Sequence, residues 1–258
     1  MSHDPHTQAP HTPHHTVDVD DEYAVYQTST MSALLAGLYD GDVTIAQLLE
    51  HGDFGLGTFN HLDGEMVILD RVCYHLRNDG SVEIAAGTDK TPFAAVMHFH
   101  SEKGFDITET ITLAELTKRI DAETGGENLP VAVRIDGTFS TLHTRTVGAQ
   151  KKPYPLLVDA TAHETINTLE DTTGTIAGFR TPRFEAAISV AGYHLHYVDE
   201  SRTSGGHVLD LVLRSGHVSI TPINELRLVL PDTPEFRAAD IDLSQVAAEE
   251  QKAEGTSA

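Results

Sequence analysis

The chain has a single cysteine, Cys73, among its 258 residues. That excludes an internal disulfide framework and a zinc site built from cysteine, and it casts Cys73 as a small core residue rather than a reactive thiol. Positive charge is also scarce, with 17 Lys and Arg against 39 Asp and Glu and a formal net charge of -22. Such an excess repels phosphate backbones and anionic lipid, so neither nucleic acid nor a membrane is an expected partner. An anionic small molecule must therefore be met by a local cation. No apolar run reaches bilayer-spanning length, and the N-terminus shows neither the basic start nor the apolar stretch of a secretory signal, so a cytoplasmic location is expected. What is present is a hydrophobic content of 40%, enough for a packed core in one large domain or two smaller ones.

Residues 1–21 hold five histidines and three prolines without hydrophobic periodicity, and they read as a disordered His-rich tail. Met31, Leu34, Leu35 and Leu38 then have helical spacing, and Thr44 caps a second short helix carrying Leu48 and Leu49. Short β-like runs follow at 65–69, 72–76, 82–86 and 94–100, punctuated by Asp63-Gly64 and Asn78-Asp79-Gly80. Thr112 and Glu115 form a capping box for a helix with Leu113, Leu116 and Ile120 on one face. Strands are expected at 131–135 and 138–147, on either side of an Asp136-Gly137 turn. The stretch 150–172 reads as a junction, and further strands are expected at 174–179, 186–198, 207–214, 217–221 and 225–230. The expected fold class is α+β, with two sheet-dominated halves over 22–150 and 151–235, a few flanking helices, and a C-terminal arm over 236–258.

Eleven histidines lie outside the tail, and three of them form a pattern. In a strand, His194 and His196 point to the same side, and the Ser204-Gly205-Gly206 turn returns His207 beside them. Three imidazoles with coordination positions left open are the donor set of a catalytic rather than a structural metal site. His98 and His100 have the same spacing but no third partner across a short turn, which points to a solvent-facing or locally bonded pair. The remaining single histidines read as surface or satisfied core residues. His194, His196 and Glu200 also show the HxHxxxE spacing of a cupin metal motif, which would make the protein a metal-dependent oxygenase. The second half of that motif is missing, because Asn224 stands where a glycine is required and no histidine follows. A non-catalytic metal- or ligand-binding protein is the other alternative.

Blocks along most of the chain resemble one known family. Tyr26-Gln27-Thr28-Ser29-Thr30-Met31, Leu38-Tyr39-Asp40-Gly41-Asp42, His51 through Asn60, Leu62-Asp63-Gly64-Glu65, Arg134-Ile135-Asp136-Gly137, Thr144-Arg145-Thr146-Val147, Gly192 through His196 and Ser204 through His207 match α-acetolactate decarboxylase, in the family's order. The resemblance runs from about Tyr26 to Glu254. It implies a homodimeric zinc enzyme that converts acetolactate to acetoin and carbon dioxide through a metal-stabilised enediolate protonated on one face. It implies Zn2+ on His194, His196 and His207, active-site roles for Glu65 and Arg145, and a substrate-binding hydroxyl at Thr58. A C-terminal glutamate, best matched by Glu254 with Glu249 and Glu250 nearby, would bring the arm into the site.

The chemistry agrees with the resemblance. Decarboxylation of a β-keto acid leaves electrons that must be delocalised onto the ketone oxygen, so an electrophile is required there. A Schiff-base lysine is the alternative, but none of the six lysines sits in an apolar setting. Arg145 supplies the cation that an anionic substrate requires, unless it is a surface charge paired with one of the many acids. Glu65 begins an apolar strand, where an inward carboxyl would have a raised pKa suited to proton donation. Its alternative is an exposed carboxylate at a strand start.

Overall fold

Threonine caps set the helix starts. Thr30 accepts from the Ala33 N–H, while Thr44 with Gln47 and Thr112 with Glu115 close reciprocal capping boxes. The last of these helices ends at Gly125, whose φ of 74° is open to glycine at little cost. The computed structural model describes residues 23–241 and 252–253; the His-rich tail expected over 1–21 and the residues Glu249, Glu250 and Glu254 lie outside them. In chain order the elements are β1 (Ala24–Thr28), α1 (Met31–Leu35), β2 (Val43–Thr44), α2 (Ile45–Leu48), β3 (Phe54–Thr58), β4 (Glu65–Leu69), β5 (Val72–Leu76), β6 (Val82–Ile84), β7 (Lys90–Thr91), β8 (Phe93–Met97), β9 (Lys103–Ile107), β10 (Ile111–Thr112), α3 (Leu113–Thr124), β11 (Val131–Thr146), α4 (Leu157–Ala160), β12 (Thr165–Thr181), β13 (Gly192–Asp199), β14 (Gly205–Pro222), β15 (Glu225–Val229) and α5 (Pro234–Ala238).

The fold is mostly sheet with few helices. One sheet has the order β15-β1-β8-β3-β4-β5-β6 and is antiparallel except where β15 runs parallel to β1. In the other, β11, β12 and β14 pair along most of their lengths, and β9 and β10 pair with β14. There β13 pairs with β12 and, through His196–His207, Tyr197–Gly206 and Val198–Gly205, with β14, so β11 to β14 form a closed circuit.

Side-chain alternation then sorts the core into layers. Along β4, Met66 and Ile68 pack outward with Ile45 and Leu48 of α2, whereas Val67 and Leu69 pack inward with Ala132, Phe179 and Val198 of the second sheet. Along β13, Leu195 and Tyr197 enter the second sheet's own core, with Leu116 and Ile120 of α3. Val198 faces the first sheet, and so, by parity, do His194 and His196. Glu65 has the parity of Val67, so the carboxylate and the histidines meet between the sheets.

The structure departs from expectation in several places: the strand expected over 186–198 starts only at Gly192, and β12 already begins at Thr165 within the expected 150–172 junction. Asp136-Gly137 is not a turn, because β11 runs unbroken from 131 to 146 and Gly137 pairs with both Gly174 and Gly216. A Cβ on Gly137 would stand 2.7 Å from Leu213 Cδ1 and 2.8 Å from the Ser215 carbonyl oxygen, so this glycine serves close strand approach rather than a reversal. The runs 207–214 and 217–221 are likewise one strand, β14. Sheet membership also cuts across the division expected near residue 150. β9, β10 and β11 precede it but join the second sheet, while β15 returns to the first, and the two sheets share an apolar layer instead of a thin linker.

Candidate active site

Three strands carry the histidines and the arginine to one place. His194 and His196 come from β13, His207 from β14, and Arg145 on β11 sits opposite His207 in the ladder. All four side chains are buried. His194 Nε2 lies 3.1 Å from His196 Nε2, and His207 Nδ1 lies 3.3 Å from the same atom. The three donor atoms fall within 4.8 Å of one another. A tetrahedral zinc ion about 2.0–2.1 Å from each nitrogen sets neighbouring donors roughly 3.3 Å apart, which is the spacing of the two pairs that share His196 Nε2. His196 Nδ1 donates to the Met66 carbonyl oxygen at 2.8 Å, which leaves its Nε2 lone pair directed at the other two rings.

Burial and charge keep His194 and His196 in the state that binds a cation. Burial, followed by the charge of Arg145, lowers the His194 pKa to about 3. Burial also drives His196 well below the usual imidazole range, with His194 and Arg145 adding to the shift against the hydrogen bond to Met66. Two neutral imidazoles therefore face each other near neutral pH.

The acid and the hydroxyl come from the first sheet. Glu65 starts β4 and is mostly buried, with Oε2 3.6 Å from His196 Nε2. Thr58, its partner across β3 and β4, is buried and donates its hydroxyl to the Gly64 carbonyl oxygen at 2.7 Å. Glu65, Thr58, Arg145 and the three histidines line one cavity, which Leu62, Phe93 and Val147 close with apolar surface. Arg145 Nη1 donates to Glu164 Oε2 at 2.9 Å and to the Ala253 carbonyl oxygen. Ala253 is fully buried beside Val147 and Leu157, so the chain immediately before Glu254 is docked at the site.

The six described residues expected at the site thus meet in one cavity. Glu200 does not join them: it lies exposed in the turn after β13, which removes the cupin ligand set. His98 and His100 belong to no three-residue metal group among the described residues. Sequence reasoning missed Glu164, which anchors Arg145 from a stretch with no periodic signal, and the Met66 carbonyl, whose role as a histidine acceptor appears only once the two sheets are stacked. Thr161, another lining residue, likewise had no signal.

Comparison with known proteins shows the family. The family model for alpha-acetolactate decarboxylase matches residues 25–243. The alpha-acetolactate decarboxylase of Bacillus licheniformis is 42% identical over 231 residues, covering 90% of this chain and 91% of its own length. That of Methanosarcina mazei is 40% identical over 217 residues, covering 84% of this chain and 75% of its own. The crystal structure of alpha-acetolactate decarboxylase from Bacillus subtilis strain 168 is similar with a TM-score of 0.89 at 40% identity, over 90% of this chain and 100% of that one. The chain belongs to the alpha-acetolactate decarboxylase family.

Proposed function

We propose that this protein decarboxylates α-acetolactate to acetoin and carbon dioxide, with Zn2+ held by His194, His196 and His207. The observation that carries the reading is the convergence, in one cavity, of three buried imidazoles with donor atoms within 4.8 Å of one another, a buried carboxyl group and a buried guanidinium. A divalent cation held by these residues would supply the electrophile that decarboxylation of a β-keto acid requires. Arg145 is oriented by Glu164 and gives an acidic protein the positive charge that an anionic substrate requires. The Thr58 hydroxyl lines the same cavity and is assigned to substrate binding. Glu65 stands where a proton can be delivered from the first-sheet side, and Glu254, next to the docked Ala253, is the second candidate donor. Delivery from one fixed side yields acetoin of one hand.

The reading includes a homodimer. β15 is an edge strand of the first sheet, and Leu228, Val229 and the adjoining Leu230 are exposed there, an apolar edge that a second copy would cover. No helix among the described residues is long and apolar enough to cross a membrane. The cytoplasmic location is kept as part of the proposal, in line with the free, buried Cys73.

The direct test is acetoin and carbon dioxide formation from acetolactate by the wild-type chain and by Arg145→Ala. The wild type should turn over, and the variant should bind the same amount of metal with kcat/KM lowered by ~100-fold or more. A metal-loaded wild type with no turnover would leave only a metal-binding protein.

A further inference from the structure

Glu65 follows directly on the turn Leu62-Asp63-Gly64. Leu62 and Gly64 both hold left-handed backbone, with φ of 57° and 78°, and a Cβ on Gly64 would stand 2.2 Å from the Leu76 carbonyl oxygen. A turn so restricted has few alternative packings, and any displacement passes straight to the residue that follows. Besides the ion pair of Arg77 with the Asp63 carboxylate at 2.8 Å, three hydrogen bonds tie its backbone to its surroundings. Thr58 Oγ1 donates to the Gly64 carbonyl, the Gly64 N–H donates to the Val147 carbonyl at 3.0 Å, and His75 Nε2 donates to the Asp63 carbonyl.

His75 is the unexpected member of this set. It lies on β5 opposite Met66, and its parity with Cys73 puts it on the outer face, away from Glu65 and the three histidines. The residue is 3% exposed, and its ring stacks on Phe59 with centroids 3.7 Å apart. Nδ1 is buried without a hydrogen-bond partner, and the nearest oxygens of Asp63 and Glu83 are 3.9 Å from the ring nitrogens that face them. Burial lowers the His75 pKa, so the neutral ring carries its proton on Nε2, where the Asp63 carbonyl accepts it. A phenyl ring would fill the slot beside Phe59 and bury no orphan nitrogen. The imidazole adds only the bond to Asp63.

We propose that His75 is a positioning residue for Glu65: from the far face of the sheet it anchors the 62–64 turn and sets where the Glu65 carboxylate stands beside His196. The inference rests on reading Glu65 as the acid–base group. Its test compares His75→Phe, His75→Gln and Phe59→Leu for metal content, thermal midpoint, kcat and KM on acetolactate. His75→Phe should keep its metal and fold while kcat falls ~10- to 100-fold with KM within about threefold, as expected for a small misplacement of a reacting group. His75→Gln, which keeps a donor for Asp63, should recover most of that loss. Phe59→Leu removes the stack but not the donor, and should lower the melting temperature with kcat within about twofold of wild type. Full kcat in His75→Phe would overturn the proposal. So would a glutamine variant as slow as the phenylalanine one, or an equal loss of kcat in Phe59→Leu. If His75→Phe does not fold, His75→Gln decides alone: kcat near wild type supports the anchor, and a folded but slow enzyme with unchanged KM contradicts it. A wild-type chain that forms no acetoin would instead count against the decarboxylase reading.

Discussion

His194, His196 and His207 could hold a metal ion, and burial keeps His194 and His196 from charging. The same fact predicts how the metal-free protein responds to acid. An imidazole in the unfolded chain titrates near about 6.5, whereas His194 in the fold titrates at about 3 and His196 lies well below the usual range. Between those values the unfolded state binds more protons than the native state, so acid favours unfolding. The contribution of these residues is complete above about pH 6.5 and is lost as pH falls towards 3. Denaturant midpoints of the metal-free protein should therefore fall across that window, and should fall less in His194→Phe. An identical decline in that variant would assign the effect to other groups. His194→Ala should lose bound metal and reduce acetoin formation at least ~100-fold while circular dichroism stays native. Glu65→Gln should retain the metal and lose ~10²–10⁴-fold in kcat, as removal of a proton-transferring group does. Full activity in Glu65→Gln would transfer that role to another residue.

At the scale of elements, the site depends on strands that run farther than local signals indicate. Gly137 illustrates this, since it pairs with Gly174 and Gly216 on either side and has Leu213 Cδ1 and the Ser215 carbonyl oxygen where a Cβ would stand. Gly137→Val should cost ~1–3 kcal/mol by overpacking, a drop of roughly 3–10 °C in melting temperature for a chain of this size, without loss of metal. An unchanged melting point would show that β11 tolerates a side chain there. The helix caps at Thr44 and Thr112 were legible in the sequence, because capping is chemistry within four residues. So were β4 and β5, and the shared face of His194 and His196, because alternation is local. Gly137 was misread because an Asp-Gly pair carries the same letters in a turn and in a crowded strand. Glu164, Thr161 and the anchoring His75 were not legible, since each acts across the sheets or through a backbone carbonyl. For Glu65 the sequence left an inward and an exposed position open; its burial and its 3.6 Å distance from His196 depend on how the two sheets stack, which no local pattern encodes.

At the scale of the whole molecule, the two sheets divide the labour. The second closes upon itself and presents the imidazoles and Arg145; the first presents Thr58 and Glu65 across a shared apolar layer. This arrangement leaves the β15 edge to a second copy in the proposed dimer. Sedimentation should give twice the chain mass of 28.0 kDa, and Val229→Lys should shift the population towards single chains. A wild type sedimenting as one chain would remove the dimer from the account. The most direct test of its central claim is to remove the metal with a chelator at neutral pH, assay acetoin formation from acetolactate, and titrate zinc back. The account predicts that activity disappears with the metal and returns to a plateau near one zinc per chain. Full acetoin formation by demonstrably metal-free protein would contradict it.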